Sequence, residues 1–399
     1  MARFTRRLLD DVPSAQPAPR HGQRAPRSPY QALCASSGAP SSHAARTPLQ
    51  NVWWVERLLI ATIVLGLGLS QAVVITIAQE ATPTSVSSIG LTRGDPAPLG
   101  DPVQAGPVEL QVLDILSGQE AVESILAASP TNVEPRDGTT NVAVNIAARN
   151  TGSQPLWLDN DDFAMTGDSG LLWRFLGAQP PDPALDMTLN PGESAEGWLA
   201  FGIPIEESSL LLIFDSLEIG GSWADRVLAI QDGARIPDLA QRTAAPNDAG
   251  TDFITALGIG EAAVTDQWSV ELLDVVTDAA AFDLVDYRTG ALGVADATGE
   301  DGSVWIALRF RIQNAAAGGE LAYLPANAFV LVDDAGNPLL DIATLTPPRP
   351  DAAGGYYPGA VRDGWVMFDV PLDYATSTVR FLPFAHTATS LDPRFFSYG

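Results

Sequence analysis

Residues able to do chemistry in this chain are almost all carboxylates. Its 399 residues hold 48 Asp and Glu against 22 basic residues, every one an Arg, with three His and one Cys. A nucleophilic relay of the Ser-His-Asp or Cys-His kind needs an imidazole beside its nucleophile. Beyond residue 43 the only histidine is His386, and no Gly-x-Ser-x-Gly elbow precedes any serine. Zinc needs three or four His, Cys or carboxylate ligands, and a single His does not make a set. Carboxylate pairs can act as the acid and base of a glycosidase. Beyond residue 57, however, forty-five acids are available, so pairs arise freely and a solvated acidic surface accounts for them. Calcium takes clustered oxygen ligands. Two clusters offer them: Asp159, Asp161 and Asp162, and Asp333 and Asp334. Neither has the EF-hand spacing, and ordinary turn aspartates explain both more simply. Trp173, Trp305, Tyr356 and Tyr357 are candidate aromatics for a binding face, with core packing as the competing reading. Trp305 lies on the polar side of its strand by alternation; Trp157 and Trp268 are undecided. No catalytic residue and no cofactor is expected.

The elements that would position these groups occur twice. Pro191-Gly192, Gly197-Trp198, Phe201 and Ile203-Pro204 return 167 residues later as Pro358-Gly359, Gly364-Trp365, Phe368 and Val370-Pro371. Leu113-Asp114-Ile115 returns as Leu273-Asp274-Val275, Asn150 as Asn314, Phe163 and Gly170 as Phe329 and Gly336, and Phe214 as Phe381. The order is preserved throughout, so one domain is written twice. Its hydrophobic period is two: Val142, Val144 and Ile146 share a face, as do Val304, Ile306, Leu308, Phe310 and Ile312. Such alternation predicts half-buried antiparallel strands. Asn150-Thr-Gly, Asp168-Ser-Gly and Pro191-Gly192 supply turns. Gly-Trp is expected to place its aromatic in the core. Ala121, Ile125 and Ala128 have helical spacing, which predicts a two-turn helix over 120–128 inserted between early strands.

Ahead of the repeat, residues 1–57 carry eight Arg and three acids, a net +5, and the remainder carries −31. Residues 1–51 have too few large apolar side chains to offset chain entropy and read as a disordered basic segment. Residues 52–79 contain Leu58–Ala78, free of charge and long enough to span a bilayer, with Trp53 and Trp54 at its Arg-rich edge. That places the amino end inside and the carboxyl end outside. A cleaved signal sequence is the alternative: Leu58–Leu69 makes an h-region, followed by Ser70-Gln71-Ala72 or Thr76-Ile77-Ala78. A start at Val52 would give that signal an ordinary length. Cys34 lies in the basic segment; Leu33 before it, with no apolar run upstream, makes it a poor lipidation site and leaves a free thiol. Residues 80–99 and 237–259 read as linkers, the second short enough to keep the two domains close. The domains themselves are 100–236 and 260–399.

At this point the motifs carry a resemblance. Asn150-Thr-Gly, Leu156-Trp157-Leu158, Asp162-Phe163 and Leu189-Asn-Pro-Gly-Glu-Ser, followed by the Gly-Trp phrase, resemble the telokin-like, immunoglobulin-like domains of bacterial exported proteins. The resemblance covers about 100–215 well and 260–385 more loosely. It implies an all-β pair of tandem immunoglobulin-like sandwiches and carries no catalytic residues.

The expected function is therefore a non-catalytic module outside the cytoplasm, held at the membrane through residues 58–78 and recognising a protein or an envelope glycan. The alternatives are an envelope spacer and a carboxylate-based hydrolase. Net negative charge repels nucleic acid and excludes it as a partner. The fold itself is expected to rest on Gly197, Trp198, Phe201, Gly364, Trp365 and Phe368.

Overall fold

A computed structural model describes residues 88–174, 177–215, 225–284, 303–372, 374, 376–382 and 392–399. All lie within one compact unit, Glu80–Gly399. The basic segment with Cys34, the apolar stretch 58–78 and His386 lie outside the described residues. Among the described residues no helix is long and apolar enough to cross a membrane.

The protein is mostly β, in several sheets. Its first half runs β1 (Val103–Ala105), β2 (Val108–Ser117), α1 (Gly118–Ala128), β3 (Thr139–Asn150), β4 (Leu156–Leu158), β5 (Phe163–Thr166), β6 (Leu172–Trp173), β7 (Met187–Leu189), β8 (Ser194–Pro204), β9 (Leu211–Phe214) and β10 (Arg226–Ala229). The second half runs β11 (Ala262–Val264), β12 (Trp268–Thr277), α2 (Asp278–Asp283), β13 (Ser303–Asn314), β14 (Ala322–Leu324), β15 (Phe329–Val332), β16 (Ala343–Leu345), β17 (Gly354–Tyr356), β18 (Val361–Pro371), β19 (Thr378–Phe381) and β20 (Arg394–Ser397). Sheet β1-β2-β3-β8 faces sheet β10-β9-β5-β6, and β11-β12-β13-β18-β16 faces β15-β19-β20. Ribbons β4-β7 and β14-β17 flank them.

Period-two strands bury one face each. In the first half Val142, Val144, Ile146, Leu199, Phe201 and Ile203 meet Phe163, Met165, Leu212 and Phe214 in one core. Leu308, Phe310, Ile312, Phe368 and Val370 meet Phe329, Leu331, Val379 and Phe381 in the other. The ring pairs Phe163–Phe214 and Phe329–Phe381 sit 5.3 and 5.1 Å apart, the same contact made twice. Helix α1 forms as its spacing predicts, with Ala121 and Ile125 fully buried against the sheet. A shorter α2 stands at the equivalent place in the second half.

The expectation for Gly-Trp is corrected. Trp198 and Trp365 do not enter the sandwich cores. They alternate with Phe201 and Phe368, so they point to the outer face of their sheets. There Trp198 packs with Ile125, Ala143 and Ala200 under α1, and Trp365 with Ala281, Ala307 and Met367 under α2. The glycines have a separate cause. Backbone of 183–185 crosses β8, with the Trp198 N–H donating to Pro183 and the Leu185 N–H to Trp198 at 2.8 and 3.0 Å. A Cβ on Gly197 would stand 2.7 Å from the Leu185 backbone, and one on Gly364 2.6 Å from that of Ala352. Only glycine lets the crossing chain in.

Other repeated phrases also find a cause. Leu113 and Leu273 fall at matching β-bulges, where the Asp114 and Asp274 carboxylates each accept the next backbone N–H at 2.8 Å. Asn150 and Asn314 are fully buried, and each donates its amide to a flanking ribbon, at Leu189 O and Tyr356 O.

Both stretches read as linkers bond to sheets. Residues 90–97 lie along β10: the Val227 N–H donates to Gly90 O, the Ala97 N–H to Val227 O and the Ala229 N–H to Ala97 O. Residues 250–257 do the same along β20, through Phe395 to Gly250, Leu257 to Phe395 and Ser397 to Leu257. These straps seal edges that would otherwise expose unpaired backbone groups. The intervening 237–249 is also held, by a two-way bond between Leu239 and Gly318 and by the Asn247 N–H on Val264 O.

Candidate functional site: an aromatic and arginine seam

Three of the aromatic side chains picked out by sequence, Trp173, Tyr356 and Tyr357, are drawn into the junction between the halves. Just ahead of β6, Leu171 of the first half bridges Tyr356 of the second, and the Tyr357 N–H donates to Gly170 O at 2.9 Å. Ribbon β17-β14 thus continues the sheet β10-β9-β5-β6. Gly355 permits the approach, since a Cβ there would meet the Leu172 side chain at 2.8 Å. Beneath this bridge the outer face of the first-half sheet presents Ala164, Leu172, Leu211, Ile213, Val227 and Ala229. Tyr357, with Leu321 and Tyr323 beside it, covers that face.

Three arginines line the seam. Arg93, in the first strap, is 4% exposed and lies with its guanidinium carbon 3.7 Å from the centroid of Tyr357. Burial pulls the Arg93 pKa down, while Tyr357 and Asp238 oppose that shift. Arg174 donates through Nε to the Tyr323 hydroxyl at 2.8 Å and through Nη2 to Asp215 at 2.9 Å. A third bond runs from its Nη1 to Asp161 O. Arg362 stands 5.2 Å from the Trp173 ring and 5.3 Å from that of Tyr356, and bonds Ala353 O. Exposed cation–aromatic contacts are worth about 0.5–1 kcal/mol and desolvated ones about 2. The seam therefore holds by its apolar burial and by the three such contacts that cross it, Arg93–Tyr357, Arg174–Tyr323 and Arg362–Trp173.

The binding-face expectation is corrected accordingly. Tyr356 is 0% exposed, packs edge-on against Trp268 at 5.4 Å and donates its hydroxyl to Ala352 O. Tyr357 is buried in the seam, and Trp173 packs against both cores. Trp305 is partly covered beside Trp365 and Ala281 under α2. Trp268 is core. Burial of Tyr357 and cover on Trp173 follow from the stacking of the halves, which no single strand's alternation reveals. Trp157 alone among them is open, 54% exposed on β4.

The aspartate clusters are turn devices. Asp159 caps the 3-10 turn Asn160–Asp162: its carboxylate accepts the Asp161 N–H, and Asp162, buried, accepts the Asp159 N–H. Asp333 accepts the backbone N–H of Ala335 and Asn337 and the Asn337 amide, and these bonds, Asn337's first, hold its pKa below the usual carboxylate range. Asp334 is exposed. The two clusters lie in different halves, and the Asp159, Asp162 and Asp333 carboxylates each accept a backbone N–H. Among the described residues no group of three or more His, Cys, Asp or Glu gathers as a metal site. The seam arginines carry a mark in the sequence: Arg93, Arg174 and Arg362 answer to Phe253, Leu340 and Ala195 in the other copy.

Residues 97–224 match DUF4352, a domain of unknown function. The DUF4352 match begins inside the first strap and ends just before β10. No curated protein matches the chain. Similar solved structures include the yjhA protein of Bacillus subtilis, 10% identical over 34% of this chain and 99% of its own, TM-score 0.25. The secreted protein MPT63 of Mycobacterium tuberculosis is 13% identical over 33% and 95%, TM-score 0.26. An uncharacterized β-sandwich protein of Clostridium difficile is 13% identical over 33% and 91%, TM-score 0.22.

Proposed function

We propose that this chain is a non-catalytic binding module working outside the cytoplasm. In this reading it is a tandem pair of immunoglobulin-like sandwiches, 100–236 and 260–399, tethered to or released from the membrane through residues 58–78, recognising a protein or an envelope glycan. The observation that carries it is the seam. Arg93, Arg174 and Arg362 with the rings of Trp173, Tyr323 and Tyr357 join two sandwiches into one body, which suits a rigid presenter of surface loops, and no acid, base and nucleophile converge among the described residues. A surface of this acidity favours a neutral or basic partner. Stiffness from the seam also supports a second reading, a spacer that holds the envelope at a set distance.

Affinity capture from envelope extract with the full chain, alongside a glycan array, separates the two. Stoichiometric capture of one protein or one glycan class supports the module. Capture of nothing in either format sinks it and leaves the spacer.

A further inference from the structure

We propose that Trp157 and its adjoining acidic turn form a docking surface for an arginine-bearing polypeptide segment of another protein. The proposal rests on the binding-module reading and names its surface and partner chemistry.

The chain supplies its own precedent. Ribbons β4-β7 and β14-β17 share one register: Trp157 stands opposite Thr188 as Tyr323 stands opposite Gly355. Tyr323 therefore occupies the position of Trp157. In the seam that position receives an arginine: Arg174 places its guanidinium carbon 5.5 Å from the Tyr323 ring and donates to its hydroxyl, with Asp215 as a carboxylate partner at 2.9 Å. On the first-half ribbon the aromatic is retained and enlarged to an indole, the strongest ring for a cation. It is 54% exposed. A carboxylate is again beside it: Trp157 Nε1 donates to Asp159 Oδ2 at 3.0 Å, and Asp161 is exposed in the same turn. Ring and carboxylate together fit a guanidinium, which stacks and bonds at once.

The same comparison argues against a second copy as occupant. The position equivalent to Arg174 in the second half is Leu340, so another copy offers a leucine where the ring takes a cation. Strand addition there is also closed. The Asn190 N–H, equivalent to the Tyr357 N–H that bonds Gly170, is already taken by Glu193 Oε2 at 2.8 Å. A net charge of −26 opposes self-association further.

The test is fluorescence anisotropy of a labelled peptide of alternating Ser and Arg on the full chain near physiological salt, with a Ser-Lys peptide in parallel. Saturable binding, weakened about threefold or more by Trp157→Ala, retained by Trp157→Tyr and weaker for the Lys peptide, is expected. Trp157→Ala leaves net charge unchanged, so equal binding by wild type and variant means unspecific attraction and overturns the proposal. Absence of binding overturns it too, as does concentration-dependent self-association abolished by Trp157→Ala. A captured partner whose binding survives Trp157→Ala overturns this inference and leaves the binding-module reading standing.

Discussion

Glu193 and Ala360 hold the same place in the two halves and do opposite things. Glu193 folds back on the Asn190 N–H and closes the first-half ribbon; Ala360 packs against the Gly170 turn, 3.2 Å from where that glycine's Cβ would be, and lets the second-half ribbon dock. A repeat that could stack on itself indefinitely is thereby allowed one junction.

That junction should dominate stability. Tyr357→Ala removes a ring packed into the seam and strips Arg93 of its cation–aromatic partner, so a loss of about 3–5 kcal/mol is expected in urea titrations. Arg93→Met keeps the long stem against the ring and removes a charge that is costly to bury, so its effect should stay within about 1 kcal/mol. A large loss from Arg93→Met with little from Tyr357→Ala would reverse the assignment of what holds the halves together.

Alkali should loosen the protein through the same residue. Burial pushes the Tyr357 phenol up to about 12 from its ordinary 10.0, and burial raises Tyr356 as well. Below pH 10 both states keep the Tyr357 proton and its contribution is whole. Between pH 10 and 12 the unfolded chain releases the proton while the native state retains it, so stability falls as pH rises. At 1.36 kcal/mol per unit this is about 2.7 kcal/mol for Tyr357 alone. Tyr357→Phe should make the fall measurably shallower when midpoints are compared across that window.

The crossing glycines allow a matched comparison. Gly197→Ala and Gly364→Ala force a methyl into crossing backbone and should each cost about 1–3 kcal/mol. Gly192, with φ +83° and open space around its Cβ position, should cost only about 1 kcal/mol when replaced by Ala. Three urea curves decide the ranking.

Calcium should do nothing. With the Asp159, Asp162 and Asp333 carboxylates occupied by backbone donors, the melting temperature in millimolar calcium should match that in EDTA within about 1 °C. A rise of several degrees would show that a turn opens to bind the ion.

Much of the fold is legible in the chain because backbone pairing and core packing leave side-chain marks. Alternation in Val304–Ile312 marks a strand with one buried face, and Ala121 with Ile125 marks a helix. Alternation does not say which of two faces is covered, however. Helix α1 lays a second apolar layer on the outside of its sheet, and so Trp198 is half-buried where the pattern points outward. The straps escaped notice because edge bonds use backbone groups common to all residues, and a Pro, Ser and Thr-rich stretch carries no strand signature. The seam escaped because it is built where the copies differ: Arg93 for Phe253, Trp173 for Leu339, Tyr356 and Tyr357 for Leu189 and Asn190. Trp157, by contrast, is legible as a tryptophan on a short strand, and its equivalence to Tyr323 shows only once the ribbons pair.

The straps carry one more consequence. In each half the first bonded segment lies beside the last strand, 90–97 along β10 and 250–257 along β20, so the unit begins and ends at one spot. A module whose two ends coincide can be spliced into a gene again without rethreading anything already there. Joining two such units needs only a short connector, and residues 237–249 are one.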